Sequence, residues 1–544
     1  MTDRTRNTIR RSLLLLLAAV GAGYGLLAWS FPSSSHAQAI VSAKLNDKIF
    51  YDPQFLNVFY QERDLRPVWL RGSGTFQPRA KGVLKILENS WTHGLNPEKY
   101  HITKLNELAV NPTNLNRYEF DLLLSDAVIR YTRDLTGMRG NHNPNDRAGK
   151  YWREPMTPEA ILQQVALSSD PVNALHRLAP NSKLYQALRS ELVHLASEPG
   201  YGADPVKIGS ILKPGQSHKA VAVLRERFLP QSVKSLKYDD ALAAEIMKFQ
   251  RRNGIEANGV IRADTVAALN HSKEQRMLQI IANMERLRWM EQGRPDKYVL
   301  VNIPSASLWA VQDGEVALEM PVIVGKTARP TYSFKTEISG VRFNPNWTVP
   351  PTIKNADFLP LLQENPLVLT ERGIRITYKG QIVDPAKVDW KTVTPRDLAQ
   401  VKMIQNPGDD NPLGKVRVIM ENPYNIYLHD TNHREMFDKD ERMLSSGCIR
   451  VSQPEKLADF ILNKNEGWSW NGMQKMIDSG RMRDVKAEHP IPVYITYQTI
   501  WLDSEGTLIY GQDVYGQDAK LGDILRKAGG IHIPQIPVNS EISL

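Results

Sequence analysis

The 544-residue chain is 42% apolar and 23% charged, ordinary for a globular protein and long enough for about three or four cored domains. Its 68 Lys and Arg against 59 Asp and Glu give a formal charge of +9, which favours anionic surroundings such as a lipid surface or a wall polymer. No zinc-finger spacing and no sustained basic patch with interleaved aromatics is present, which argues against a nucleic-acid partner, and the single cysteine excludes an intramolecular disulfide.

The N-terminus reads as an export signal. Arg4, Arg6, Arg10 and Arg11 precede an uncharged apolar run of 19 residues, Leu13 to Phe31, and "PSSSHAQA" follows. A basic region, an apolar core and small residues are the parts of a signal peptide, with cleavage expected after Ala37. The same run is long enough to span a bilayer, so retention of 1–37 as a membrane anchor stays open. Positive charge before it places the N-terminus in the cytoplasm and the rest outside, on the periplasmic or wall side.

Residues 45–200 are expected to be a helical scaffold. In "YEFDLLLSDAVIRYTRDL", Phe120, Leu123, Leu124, Ala127, Val128, Tyr131 and Leu135 recur at helical spacing. Trp91, His93 and Tyr100 lie around a Gly-Leu-Asn-Pro break and read as packing at a helix–helix corner. The Gly/Pro/Ser-rich stretch from 197 to 217 reads as a linker. Residues 215–271 form a compact helical unit: Leu242, Ile246 and Phe249 share one helical face, Gly254 and Gly259 bracket a loop, and Thr265, Val266 and Leu269 continue on a second helix.

From about 297 the period changes. "KYVLVNIPSASLWAVQDGEVALEMPVIVG" alternates and is rich in Val and Ile, with Asp313-Gly314 as a hairpin turn. "VRVIMENPYNIYLHD" reads as a strand pair turning at Asn422-Pro423, "HPIPVYITYQTIWLD" and "LIYGQDVYG" supply late strands, and Pro454–Leu462 reads as a helix. Residues 297–500 are thus expected to be mainly β, with 501–544 a C-terminal extension. A long Pro-rich segment, about 349–415, interrupts this domain; an insertion of that size is often a lid over a site. The fold class expected is multidomain α+β.

The cysteine lies in "SSGCIRV", 19 residues after His429 of "YLHD". A nucleophilic thiol needs a base or a positive neighbour to lower its pKa from about 8.5, and His429 at a strand end is placed to be that base. On this reading a live thiol alkylates quickly at neutral pH. Gly447 lets the backbone turn, so that the Gly447 and Cys448 N–H groups can face a developing oxyanion. Arg450 adds positive potential or pairs with a substrate carboxylate. The same letters allow a zinc reading, with His429 and His433 at i, i+4 and Cys448 as third ligand. The β-branched, Pro-punctuated context and the missing central Glu argue against it, and no metal is expected.

These residues resemble a known family. Tyr427–Asp430 and Ser445–Val451, with "VNIPSASLWAVQDG", "MPVIVGKTARPTYSF" and "FNPNWTVPPTI", are similar to the active-site motif and flanks of the L,D-transpeptidases with a YkuD-type catalytic domain. Ser446 and Arg450 stand where His and Asn are common, as in the larger lid-bearing members. Phe249-Gln250, Gly254-Ile255, Gly259-Val260-Ile261, Thr265 and Leu269-Asn270 resemble the peptidoglycan-binding domain 1 family, with departures at Asn258 and Arg262. Residues 45–200 resemble the scaffold of large exported members. The resemblance implies Cys448 as nucleophile and His429 as its base, with Ser446, Gly447 and Arg450 shaping the site. Tyr427, two residues before His429 on the same strand face, is a candidate to line the donor site, and Trp347, beside the inserted segment, is a candidate to exclude water from it. It implies 3→3 cross-linking of peptidoglycan stem peptides: a tetrapeptide donor loses D-Ala through a thioester, and a diamino-acid side chain accepts. No cofactor is implied, carbapenems would acylate Cys448, and other wall-synthesis enzymes are candidate partners. Release by water (L,D-carboxypeptidase), attachment of a lipoprotein to the wall, and an inactive wall-bound scaffold remain alternatives.

Overall fold

The computed structural model describes residues 49–532 apart from 72–74, 111–113, 138, 140–155, 199–204, 233, 291–292 and 440. The segment expected to be a signal or anchor, 1–37, lies outside the described residues, as does the end of the C-terminal extension. No helix among the described residues is long and apolar enough to cross a membrane. The chain divides into two compact units, one built from residues up to Leu84 with Thr103–Asp126, the other from Lys85–Ile102 and Ala127 onward.

In the first unit, Asp52 caps the helix Pro53–Glu62 by accepting from the Phe55 N–H, with Pro53 opening the first turn. Asp121 is fully buried and accepts from the Val68 and Trp69 N–H groups at 2.9 and 2.7 Å and from the Tyr60 hydroxyl at 2.7 Å. Those bonds answer the cost of burying its charge.

The second unit contains the mainly β region. Its strands are β1 (Lys297–Asn302), β2 (Ser307–Gln312), β3 (Glu315–Gly325), β4 (Phe334–Phe343), β5 (Trp347–Thr348), β6 (Ile374–Tyr378), β7 (Gln381–Ile382), β8 (Val401–Gln405), β9 (Val416–Met420), β10 (Leu428–His429), β11 (Met443–Ser445), β12 (Ile449–Val451), β13 (Arg483–Thr496), β14 (Ile500–Leu502) and β15 (Leu508–Tyr510). Nine of them form one sheet in the order β11-β3-β12-β10-β9-β4-β13-β1-β2, and a further pairing of β2 with β3 closes it into a barrel. Asp313 and Gly314, both at positive φ, make the β2–β3 hairpin turn the sequence signals. Alternate residues of these strands, among them Val299, Val301, Val416, Val418, Leu428, Ile449, Val493 and Ile495, point into one core, on which the helix Pro454–Leu462 packs Leu457, Ala458 and Ile461.

The segment between β5 and β9 builds its own four-stranded sheet, β5-β8-β6-β7, and its own core around Trp347, Phe358, Leu362, Trp390 and Met403. The late strands form where the sequence signals them. β13 enters the barrel, but β14 and β15 pair only with each other. Ile500 and Tyr510 of this hairpin, with Leu521 and Leu525 of the helix Gln517–Lys527, join the apolar cluster around the helix Lys273–Trp289. A 3-residue strand is too short for its alternation to reveal which sheet it joins.

Residues 220–269 carry three helices, Ala220–Phe228, Asp240–Arg252 and Ala263–Leu269, around Val221, Leu224, Tyr238, Leu242, Ile246 and Ile261. The buried Gln250 clamps the following loop: its amide donates to the Val260 carbonyl and its carbonyl accepts from the Gly259 N–H, each at 2.9 Å. His93 packs as expected at a corner, with Nδ1 3.0 Å from the Tyr185 hydroxyl.

Candidate active site

Strand register brings the site together. β10 runs parallel to β12 with Leu428 opposite Ile449 and His429 opposite Arg450. Leu428 and Ile449 face the core, so Tyr427, His429, Cys448 and Arg450 share the other face. β9 adds Arg417 opposite His429, β4 adds Arg342 opposite Arg417, and β13 adds Asp484 opposite Arg342. One row therefore crosses the sheet: Asp484, Arg342, Arg417, His429, Arg450.

His429 is buried, and its Nδ1 bonds the Asp430 main-chain carbonyl at 2.5 Å. A carbonyl only accepts, so Nδ1 carries the proton and Nε2 is left with its lone pair, ready to take a proton. Burial, then the charge of Arg450, holds the imidazole down to about 3, so it is neutral at physiological pH. Asp430 is itself fixed. Its carboxylate accepts from the Lys415 N–H at 2.8 Å, the Thr431 N–H at 2.7 Å and Arg434 at 2.9 Å. Gly414 makes room for it: a Cβ there would lie 2.2 Å from Asp430 Oδ2. Sequence reading missed Asp430. An acid beside the histidine was the signal, but the orienting atom is its backbone oxygen.

Cys448 is half-buried and its thiol donates to the Asn425 carbonyl at 3.7 Å. Burial pushes the thiol up, against the Tyr427 N–H and hydroxyl and the charges of Arg417 and Arg450. The expectation of fast alkylation at neutral pH is therefore not supported. The resting pair is neutral thiol and neutral imidazole, not thiolate and imidazolium. Tyr427 lies opposite Cys448, with its ring 5.7 Å from that of His429 and the Arg417 guanidinium 4.1 Å above it.

The loop before the cysteine corrects the oxyanion expectation. Gly447 has φ +116, a conformation that L side chains rarely adopt, as the sharp turn requires. Its N–H, however, donates to Ser445 Oγ at 3.1 Å, and Ser445 Oγ–H donates to the Cys448 carbonyl at 2.6 Å. Gly447 is thus not free to bind an oxyanion. Among the described residues the Cys448 N–H has no main-chain acceptor. Ser445, unmarked in the sequence, closes the turn, while Ser446 is exposed and accepts from Arg329 at 3.1 Å. Thr331 braces the loop from outside by donating to the Gly447 carbonyl at 2.8 Å.

Arg329 also forks onto Asp357 of the inserted segment at 2.5 and 2.6 Å. Trp347 is buried edge-on against Phe358 in that segment's core, at 5.9 Å, rather than open to the site; Tyr427 packs on the same core. The zinc spacing is not realised as a helix. His429 ends a strand, and the exposed His433 pairs with Glu435 at 3.1 Å. No group of three or more His, Cys, Asp or Glu with metal-holding geometry occurs among the described residues.

Residues 296–495 match the family described as the L,D-transpeptidase catalytic domain, and residues 54–192 match the Scaffold domain. The chain carries an L,D-transpeptidase-type catalytic domain. Over 254 residues it is 34% identical to a candidate L,D-transpeptidase of Haemophilus influenzae, covering 46% of this chain and 50% of that protein. The chain thus spans about half the length of this curated relative. Among solved structures, L,D-transpeptidases from Xylanimonas cellulosilytica (12% identity, 53% of this chain and 99% of that one, TM-score 0.18) and Stackebrandtia nassauensis (13%, 54% and 97%, 0.17) are similar.

Proposed function

We propose that the chain is an exported L,D-transpeptidase that forms 3→3 cross-links between peptidoglycan stem peptides. The observation that carries the reading is the common sheet face of Cys448 and His429, with the imidazole oriented through Nδ1 so that Nε2 is the free base.

Because both groups rest neutral, Nε2 takes the thiol proton as sulfur attacks the carbonyl between the diamino acid and the terminal D-Ala. The Cys448 N–H stabilises the oxyanion. The C–N bond breaks, His429 returns its proton to the departing D-Ala amine, and the acyl group stays on sulfur as a thioester. The side-chain amine of a second stem peptide then attacks, again with His429 as base, and frees the thiol. The inserted segment acts as a lid tethered through Asp357 and Arg329, which limits hydrolysis. The three-helix unit is a wall-binding module, and a carbapenem acylates Cys448. No step calls for a metal or cofactor.

The test is product analysis by mass spectrometry with purified disaccharide-tetrapeptide. The expected outcome is cross-linked dimer with free D-Ala, both absent with Cys448→Ala. Tripeptide without dimer identifies a carboxypeptidase instead, and no turnover by the unaltered protein rejects the enzymatic reading.

A further inference from the structure

Arg417 has no part in the chemistry above, yet it occupies a conspicuous place. It and Arg450 flank His429 in adjacent strands, one on each side. Neither forms an ion pair among the described residues. The two acids whose fields reach them are engaged elsewhere: Asp484 holds Arg342 with both oxygens, at 2.6 and 2.7 Å, and Glu435 pairs with His433. Arg450 Nη1 faces Met436 Sδ at 3.3 Å, a weak acceptor. Arg417 lies 4.1 Å above the Tyr427 ring, and its buried Nε has no hydrogen-bond partner. The cation–π contact holds the guanidinium over the ring, and a guanidinium so held can fork onto a planar anion. Two half-buried guanidiniums side by side without an acid repel each other, and an anion joining them relieves that cost.

We infer that Arg417, together with Arg450, binds the free carboxylate of the amino acid that leaves the acyl donor. The identity of that amino acid rests on the transpeptidase reading; the presence of a carboxylate site does not. For His429 to protonate the departing amine, that amine must lie beside the imidazole. The carboxylate is carried on the carbon bearing the amine, which brings it within about one strand spacing of His429, roughly 5 Å, the spacing at which the neighbouring strands carry Arg417 and Arg450. A donor longer by one residue would present an uncharged amide there. The pair thereby selects donors that end at the leaving residue.

Thiol alkylation tests the site without any peptide. Rate constants for iodoacetate and iodoacetamide are measured above the thiol pKa, where changes in ionisation drop out, and their ratio is compared with that of a free cysteine. The expected result is a ratio raised in the unaltered protein, cut about tenfold by Arg417→Gln and only partly by Arg417→Lys, in line with a charge-assisted hydrogen bond. A ratio equal to that of free cysteine, or unmoved by both variants, overturns the carboxylate site. Should Arg417→Gln melt early, Arg417→Lys and Arg450→Lys carry the comparison. A second measurement assigns the carboxylate: tetrapeptide and its C-terminal amide are compared as donors. Preference for the free acid, lost in Arg417→Gln mainly through KM, supports the assignment, and equal losses on both donors overturn it. If the unaltered protein turns over neither donor, the transpeptidase reading and the ownership of the carboxylate fail together, while the alkylation ratio still decides whether an anion site exists.

Discussion

Two arginine clusters in the same unit are built in opposite ways. Around the helix Lys273–Trp289, Glu285 holds Arg139 at 2.7 Å and Arg288 at 2.8 Å, and Arg288 continues to the Tyr185 hydroxyl and the His93 carbonyl. Burial alone would raise the Glu285 carboxyl, but the two guanidiniums hold it below the usual range. On the barrel face, Arg417 and Arg450 flank a neutral histidine and a neutral thiol without a carboxylate. The first cluster gives both of its guanidiniums one shared carboxylate and serves to join elements distant in sequence. The second leaves charge unanswered, as a surface awaiting an anion does.

The largest expected effect breaks the second cluster. Cys448→Ala removes the proposed nucleophile and should reduce D-Ala release to background, read by mass spectrometry, while the melting temperature holds. Removing the hub of the first cluster should do the reverse. Glu285→Ala strands two buried cations and is expected to cost about 3–5 kcal/mol in denaturant unfolding, with surviving folded protein still acylated by its donor. Loss of acylation without loss of stability would refute the contrast.

His429→Gln sharpens the comparison through pH. Loss of the proposed base is expected to slow acyl transfer about 10²–10⁴-fold. The folded His429 stays neutral down to about pH 3, whereas an unfolded histidine gains a proton near 6.5. Between these values the unfolded state binds more protons, so acid destabilises the fold as pH falls through that window, by roughly 2 kcal/mol at pH 5 for this one group. Glutamine does not titrate, and the variant's stability should fall less steeply from pH 7 to 5 than that of the unaltered protein. Identical slopes would mean the imidazole is not buried neutral.

The smallest effect concerns the tether. The Arg329–Asp357 pair is partly exposed, with side chains 18% and 38% accessible, so Asp357→Asn should change stability by about 1 kcal/mol or less. Its expected signature is partition: more tripeptide relative to dimer, because water reaches the thioester. An unchanged ratio would detach this contact from any lid role.

Much of the barrel was legible because its strands are written in alternation. The Asp313-Gly314 turn and the helix Pro454–Leu462 lie where local signals placed them. Gly447 was legible as a turn but not as an amide already engaged by Ser445, because no sequence rule tells which of two adjacent serines folds back. Trp347 read as a site residue because it heads the insertion; it is buried because that insertion builds a core of its own. The strands of the β14–β15 hairpin were legible, but not that they pair apart from the barrel, because three-residue strands pair wherever packing offers them a place.

By itself the sequence determined the placing of one thiol after a Ser-Ser-Gly turn downstream of a strand-end histidine, the change from helical to strand periodicity and the glycine at the turn. These are local choices set by side-chain chemistry and backbone sterics. The tertiary structure alone decided the proton's place on His429, the neutral resting state of the thiol, and the acid-free arginines on either side. Each of these depends on register between strands far apart in the chain, and on burial, which exists only after the barrel closes.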